Sequence, residues 1–133
     1  MTNRVTGQVR ALAPGQIFVF GSNEGGRHGR GAAAQARRQY GAKPGQGAGL
    51  MGRSYGIPTK DAELNVLGLG RIRRYVDRFL EDAAAAPHLH FLVTEVGCGL
   101  AGYQPAEIAP LFAGARALAN VSLPASFWAV LGG

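Results

Sequence analysis

Two stretches of this chain combine glycine, small side chains and nearby cations in a way that suits a phosphorylated ligand. The first is GSNEGGRHGRG, from Gly21 to Gly31, which follows the apolar run Ile17–Phe20 and leads into AAAQARRQY. An apolar strand that stops in glycine and restarts as a helix leaves the first helical N–H groups without partners. With the positive end of the helix dipole, those donors form an anion site. Gly21, Ser22, Gly25, Gly26, Gly29 and Gly31 let a ligand approach the backbone, and Arg27 and Arg30 add charge. The stretch is not a P-loop, because no Gly-Lys-Ser/Thr closes it, and Gly21, Gly26 and Gly29 do not have GxGxxG spacing. Ordinary turn chemistry with solubilising arginines would give the same letters, so the second stretch carries weight. It is VGCGLAGY, Val96 to Tyr103, which follows HFLVTE and precedes a helix opened by Pro105. Two such junctions at the ends of neighbouring parallel strands face one crevice. That arrangement suits two linked phosphates.

Groups able to move a proton or hold a charge lie near these loops. His28, inside the first loop, could act as acid or base; a histidine hydrogen-bonded to loop backbone is the plainer reading. Lys60 and Asp61 follow the strand pattern at Tyr55–Ile57, the usual place for site residues in an open α/β sheet, or else form a salt-bridged strand end. Glu24 beside Asn23 could position water or face solvent. Thr59 and Thr94 are placed to support the loops from behind by hydrogen bonding. Cys98, between two glycines near a helix, could have a lowered pKa, although a small residue in a tight loop explains it as well. His88 and His90 lie two apart with no partner cluster, so no metal is expected.

The elements that must position these residues follow from the rest of the chain. At 133 residues it is one domain, spanning 1–133, with 47% apolar residues and room for a core. No apolar run approaches the about 18 residues of a membrane span, and MTNRVTGQVR lacks the apolar centre of a signal peptide. The single cysteine makes an intrachain disulfide impossible, and a cytoplasmic location without membrane partners is the expectation. The net charge of +6 favours phosphorylated ligands and keeps nucleic acid open as a partner, although an arginine-rich composition also follows from a GC-rich genome. Val5, Val9 and Leu12 suggest a weak first strand, and Pro14-Gly15 a turn. Ile17–Phe20 reads as a buried parallel strand, and Gly31–Tyr40 as a helix stopped by Gly41. AKPGQGAGLMGRS is a glycine-dense loop, and residues 62–70 are loop-like. Arg71–Ala86 is a helix with Ile72, Tyr75, Val76, Phe79, Leu80 and Ala83 inward and the pairs Arg73–Asp77 and Arg78–Asp82 outward. His90–Glu95 is a strand, Pro105 opens a helix with Ile108, Leu111 and Phe112 inward, and Asn120–Leu123 is the last strand. The tail PASFWAVLGG packs Phe127, Trp128 and Leu131 on the body. This β-α-β-α-β-α-β alternation predicts an α/β fold, a three-layer α/β/α sheet with helices on both faces.

With the strands in place, the motifs resemble a known family. GSNEGGRHGRGAA is similar to the first ligand loop of macro domains, and VGCGLAGY with its following helix is similar to their diphosphate-binding loop. FVFGSN, GRHG, GAG, IPTKD, GCGLAGY and EIAPLF together resemble a compact macro-like branch of uncharacterised bacterial and phage proteins, over roughly residues 17–124. The resemblance implies a macro-like α/β/α sheet that binds ADP-ribose, or removes it from proteins or nucleic acid. It implies that Asn23 contacts the terminal ribose and that Gly25, Gly26, Gly29 and Gly31 shape the first loop. Gly97, Cys98, Gly99, Leu100, Ala101 and Gly102 would offer N–H groups to the diphosphate, with Tyr103 over the ribose. No acid stands near Gly15-Gln16-Ile17, where the family carries the aspartate that reads adenine, and Ala101 replaces the aspartate of one hydrolase branch. The expectation is a binder of ADP-ribose or a related nucleotide diphosphate, with His28, Asn23, Lys60 and Asp61 as catalytic candidates for hydrolysis of an ADP-ribosyl bond and no cofactor. A non-catalytic reader of ADP-ribosylated macromolecules and an arginine-rich nucleic-acid-binding protein are the alternatives.

Overall fold

Alternation along one strand divides the molecule into two cores. A computed structural model of the chain describes residues 4–132; the first three residues of MTNRVTGQVR and Gly133 at the end of the tail lie outside it. Strand β2 runs Gln16–Asn23, and its side chains point alternately to opposite faces. Ile17 and Val19 enter the larger core, whereas Phe18 and Phe20 enter a smaller one with Ala33, Ala36, Tyr40, Ala42 and Met51. The smaller core lies under helix α1, Gly31–Gln39, whose buried Ala33, Ala34 and Ala36 let it sit close to the sheet. Gly41, at φ +81°, follows as the expected stop.

The sheet has six strands in the order β1-β6-β5-β2-β4-β3. The other strands are β1 Val5–Thr6, β3 Gly49–Met51, β4 Ser54–Lys60, β5 His90–Val93 and β6 Val121–Pro124. All neighbours are parallel except β3, which runs antiparallel to β4. The larger core is closed by α2 (Leu69–Ala84), the single turn α3 (Pro105–Ile108), a 3₁₀ helix over Ala109–Ala117, and α4 (Ala125–Leu131). In α2, Ile72, Val76, Phe79 and Ala83 recur at helical spacing and are fully buried. Phe79 packs edge-on against Tyr55 and Phe91, with ring centroids 5.1 and 5.5 Å away, and also touches Phe112. Truncating Phe79 to alanine at this junction costs about 3–5 kcal/mol.

The layers are therefore the expected ones, helices on both faces of an α/β sheet, but several elements differ from the sequence reading. Only Val5–Thr6 forms the first strand, while Val9 and Leu12 pack on the smaller core. Strand β2 continues through Gly21, Ser22 and Asn23, because pairing with β4 carries the ladder into the polar residues. The glycine-dense loop contains β3, and α2 begins two residues before Arg71. The helix after Pro105 lasts one turn before tightening to 3₁₀. Of the two expected helix pairs, Arg73–Asp77 forms at 4.0 Å, whereas Asp82 instead accepts the Tyr55 hydroxyl.

Candidate functional site

Strands β2 and β5 pair in parallel from Gln16–His90 to Val19–Val93, so both glycine stretches leave the same edge of the sheet. Their backbones touch. A Cβ added to Gly21 would lie 3.4 Å from the Gly97 nitrogen. Gly97 itself adopts φ +78° with Ile108 packed against it, which brings the second loop onto the end of β2. Thr94 and Thr59 fasten this edge from within: the Thr94 hydroxyl donates to the Val19 carbonyl at 2.7 Å, and Thr59 to the Ser22 carbonyl at 3.3 Å.

Between the loops lies a cleft of about 730 Å³, walled by the first loop, the end of β4 and the second loop. Several backbone donors of its lining residues are unused. On one side, the N–H groups of Gly29, Arg30, Gly31, Ala32 and Ala33 make no hydrogen bond among the described residues, and no side chain caps α1. On the other, the same holds for Gly97, Gly99, Leu100 and Ala101. The Cys98 and Gly102 N–H groups are engaged within the loop, donating to the Glu95 and Gly99 carbonyls at 3.0 Å each. Arg27, Arg30 and Lys60 add three cations to the wall against one carboxylate, Glu95, which accepts the Ser126 hydroxyl at 2.7 Å. A second hollow of about 710 Å³ shares Ala32, Thr94 and Glu95 with the cleft, so the recess continues past the loops toward Gln8, Arg10 and Ser126.

Of the sequence-derived site residues, Gly21, Ser22, Asn23, Arg27, Gly29, Gly31, Lys60, Gly97, Cys98, Gly99, Leu100 and Ala101 all line this one cleft. Gly25, Gly26, His28, Asp61, Gly102 and Tyr103 do not reach its wall. His28 is buried, with Nε2 shared between the carbonyls of Lys43 (3.0 Å) and Gln46 (2.8 Å), so the proton is assigned to Nε2. Its Nδ1 has no partner among the described residues, and its ring stands edge-on to Phe20. This is the loop-backbone role weighed against catalysis. Asp61 accepts the N–H groups of Glu63 and Asn65 at 2.9 Å each, closing a turn rather than pairing with Lys60. Gly25 and Gly26 pack on Ala62 and on Gly45–Gln46. The Tyr103 hydroxyl donates to the Leu67 carbonyl, tying the second loop to residues 61–68, and Gly102 supplies the positive φ of that bend.

Asn23 has a double role. It lines the cleft, yet its amide bridges the first loop, Nδ2 donating to the Arg27 carbonyl at 2.7 Å and Oδ1 accepting the Arg27 N–H at 2.8 Å. Glu24 neither faces open solvent nor stands in the cleft wall: Arg71 pairs with it at 2.7 Å and the Tyr75 hydroxyl donates to the same oxygen. Cys98 is half-buried, and burial, followed by the carboxylates of Glu95 and Glu107, pushes its thiol up to about 11. It is not poised as a thiolate. Leu64, Thr94 as a wall residue and Glu95 escaped the sequence reading. Glu95 had a signal, an acid directly after an apolar strand and before glycines; Leu64, at φ +68° in an irregular turn, had none.

Among the described residues no group of three or more His, Cys, Asp or Glu side chains is placed to hold a metal ion, and no helix is long and apolar enough to cross a membrane. His90 instead hydrogen-bonds Ser122 through Nε2 at 2.7 Å. Compared with known protein families, curated proteins and solved structures, the chain matches none.

Proposed function

We propose that the cleft binds a nucleotide diphosphate, with ADP-ribose, free or attached to a macromolecule, as the ligand suggested by the macro-domain resemblance. The observation that carries this reading is the pair of unpartnered backbone N–H rows on opposite walls, with Arg27, Arg30 and Lys60 beside them. Amides at a helix start and in a loop seated on a strand end are already directed outward to an anion, and charged acceptors strengthen each bond. Two rows suit two bridged phosphates, and the adjoining hollow leaves room for groups attached to them.

Within this reading, binding without turnover is favoured by the contacts of His28 and Asp61, both committed to holding backbone. Hydrolysis of an ADP-ribosyl bond would require a proton-managing group, and Glu95 is the carboxylate in the wall. Thermal unfolding with ADP-ribose, NAD, AMP and a short RNA tests the binding. A ligand present at a hundred times its Kd adds about 2.7 kcal/mol of stability, so ADP-ribose should raise Tm more than AMP does. No shift with either diphosphate would sink the proposal. Glu95→Gln then separates the two versions: turnover lost with affinity kept marks an enzyme, whereas no turnover in the parent chain leaves a binder.

A further inference from the structure

The charges of this protein are segregated along the chain and in space. Residues 1–60 contain nine Arg and Lys and a single acid, Glu24, whereas residues 61–133 contain five Arg and Lys and seven acids. The one acid of the first part is held by Arg71. A genome-wide preference for arginine does not explain this division, because the acidic residues are displaced as well. Helix α1 and the segments that share its core come entirely from the basic part, with Glu95 the one carboxylate lining the hollow beside α1. Arg10, Arg27, Arg30, Arg37, Arg38 and Lys43 are all exposed. On the opposite face, the arginines of α2 are interspersed with Asp77, Glu81 and Asp82.

We infer that the α1 face is a docking surface for the phosphate backbone of a nucleic-acid duplex. Charge complementarity names a polyanion, and the absence of a stacking platform selects among polyanions. The aromatic residues of the first sixty are Phe18, Phe20, Tyr40 and Tyr55, and every one is buried. Single-strand binding relies on exposed aromatic rings under the bases, whereas duplex binding needs only cations along the backbone. A nine-residue helix is about 13 Å long, and that length of duplex carries about eight phosphate charges. Arg37 and Arg38 make no side-chain hydrogen bond or ion pair among the described residues, so they are available to phosphates. Arg27 and Arg30 belong both to this face and to the cleft wall, so a bound duplex would lie beside the cleft mouth. The surface does not depend on what the cleft binds.

The test is fluorescence anisotropy of a short labelled DNA duplex, titrated with the full chain over a range of salt. The double variant R37E/R38E is compared with R73E/R74E on α2, and circular dichroism melting checks that both fold. The parent should bind at about 50 mM salt and weaken steeply by about 200 mM, with a slope near −0.9 per phosphate neutralised. R37E/R38E should bind about ten-fold more weakly and reduce the slope by about two, with R73E/R74E closer to the parent. Calorimetry with ADP-ribose on R37E/R38E at about 200 mM salt, where the field of the charged face is screened, should give the parent result, so failure of the duplex surface and failure of the cleft reading remain distinct. The inference is overturned by absence of duplex binding up to about 100 μM protein, by equal losses in both variants, or by tighter binding to phosphatidylserine vesicles or single strands than to the duplex.

Discussion

Gly26 and Gly29 stand three residues apart in one loop, yet the space around them differs. At Gly26, φ is +69°, and an added Cβ would lie 2.3 Å from the Gln46 nitrogen. At Gly29 it would meet nothing within 4 Å, and the residue lines the cleft. Gly26→Ala therefore incurs a left-handed penalty plus overpacking, together about 2–5 kcal/mol. Gly29→Ala should change stability by no more than about 0.5 kcal/mol while placing a methyl group in the path of a ligand. Urea unfolding of the two variants, with ADP-ribose titration of the second, checks both halves; a large unfolding cost at Gly29 would contradict the open wall. Cys98 gives a second residue-scale expectation. With its thiol raised to about 11, alkylation by iodoacetamide near neutral pH should run roughly ten-fold slower than for an ordinary thiol, the scarcer thiolate being partly offset by its greater nucleophilicity. Timed intact-mass measurement reads this directly, and labelling at the ordinary rate would show the thiol to be less shielded. His28→Ala should act on folding first. It strips the Lys43 and Gln46 carbonyls of their donor and leaves a cavity beside Phe20, for a loss of about 2–4 kcal/mol in chemical denaturation.

At the scale of elements, strand β5 holds a pH dependence that can be assigned a sign. His90 lies below its ordinary value of 6.5, first because burial disfavours the imidazolium and then because Arg4 repels it. The unfolded chain then takes up protons at a higher pH than the folded one. The contribution is fully present above about pH 6.5 and is lost as pH falls toward the lower folded value. His90→Gln keeps a polar group against Ser122 and removes the titration, so Tm should fall less between about pH 7 and about pH 5 in the variant. Parallel curves for the two proteins would assign the acid sensitivity elsewhere. The same strand shows what the sequence could reveal. Apolar runs such as Ile17–Phe20 and His90–Val93, and the helical repeat of Ile72, Val76, Phe79 and Ala83, are local patterns set by burial, so they and the two loop–helix junctions were legible. Strand β3 was not, because Gly49-Leu50-Met51 pairs only through β4, a partner that composition cannot reveal. Gly47 was equally hidden: its Cβ would lie 2.0 Å from the Asn23 carbonyl, so the glycine-dense loop buttresses the first ligand loop. The candidate site was legible as two loops; Glu95, between strand and glycines, carried a local signal, whereas Leu64 entered the wall through tertiary placement alone.

For the whole molecule, the separation of charge makes a kinetic prediction about the cleft, conditional on its binding a nucleotide diphosphate. The cations of residues 1–60 lie mostly outside the cleft wall, so they add little to the contacts of a bound ligand, yet their field extends to its mouth. Long-range attraction of this kind acts on encounter. It is screened over about 8 Å at physiological ionic strength, whereas the short contacts that hold the ligand once seated are screened less. Raising salt should therefore slow association of a fluorescent ADP-ribose analogue several-fold and leave dissociation within about two-fold. R37E/R38E should slow association at low salt in the same manner, because both side chains are exposed on α1 and neither lines the cleft. Stopped-flow mixing resolves the two rates. A variant whose dissociation rate rises while association stays constant would mean that Arg37 and Arg38 hold the ligand directly, and the charged face would then be part of the site rather than its approach.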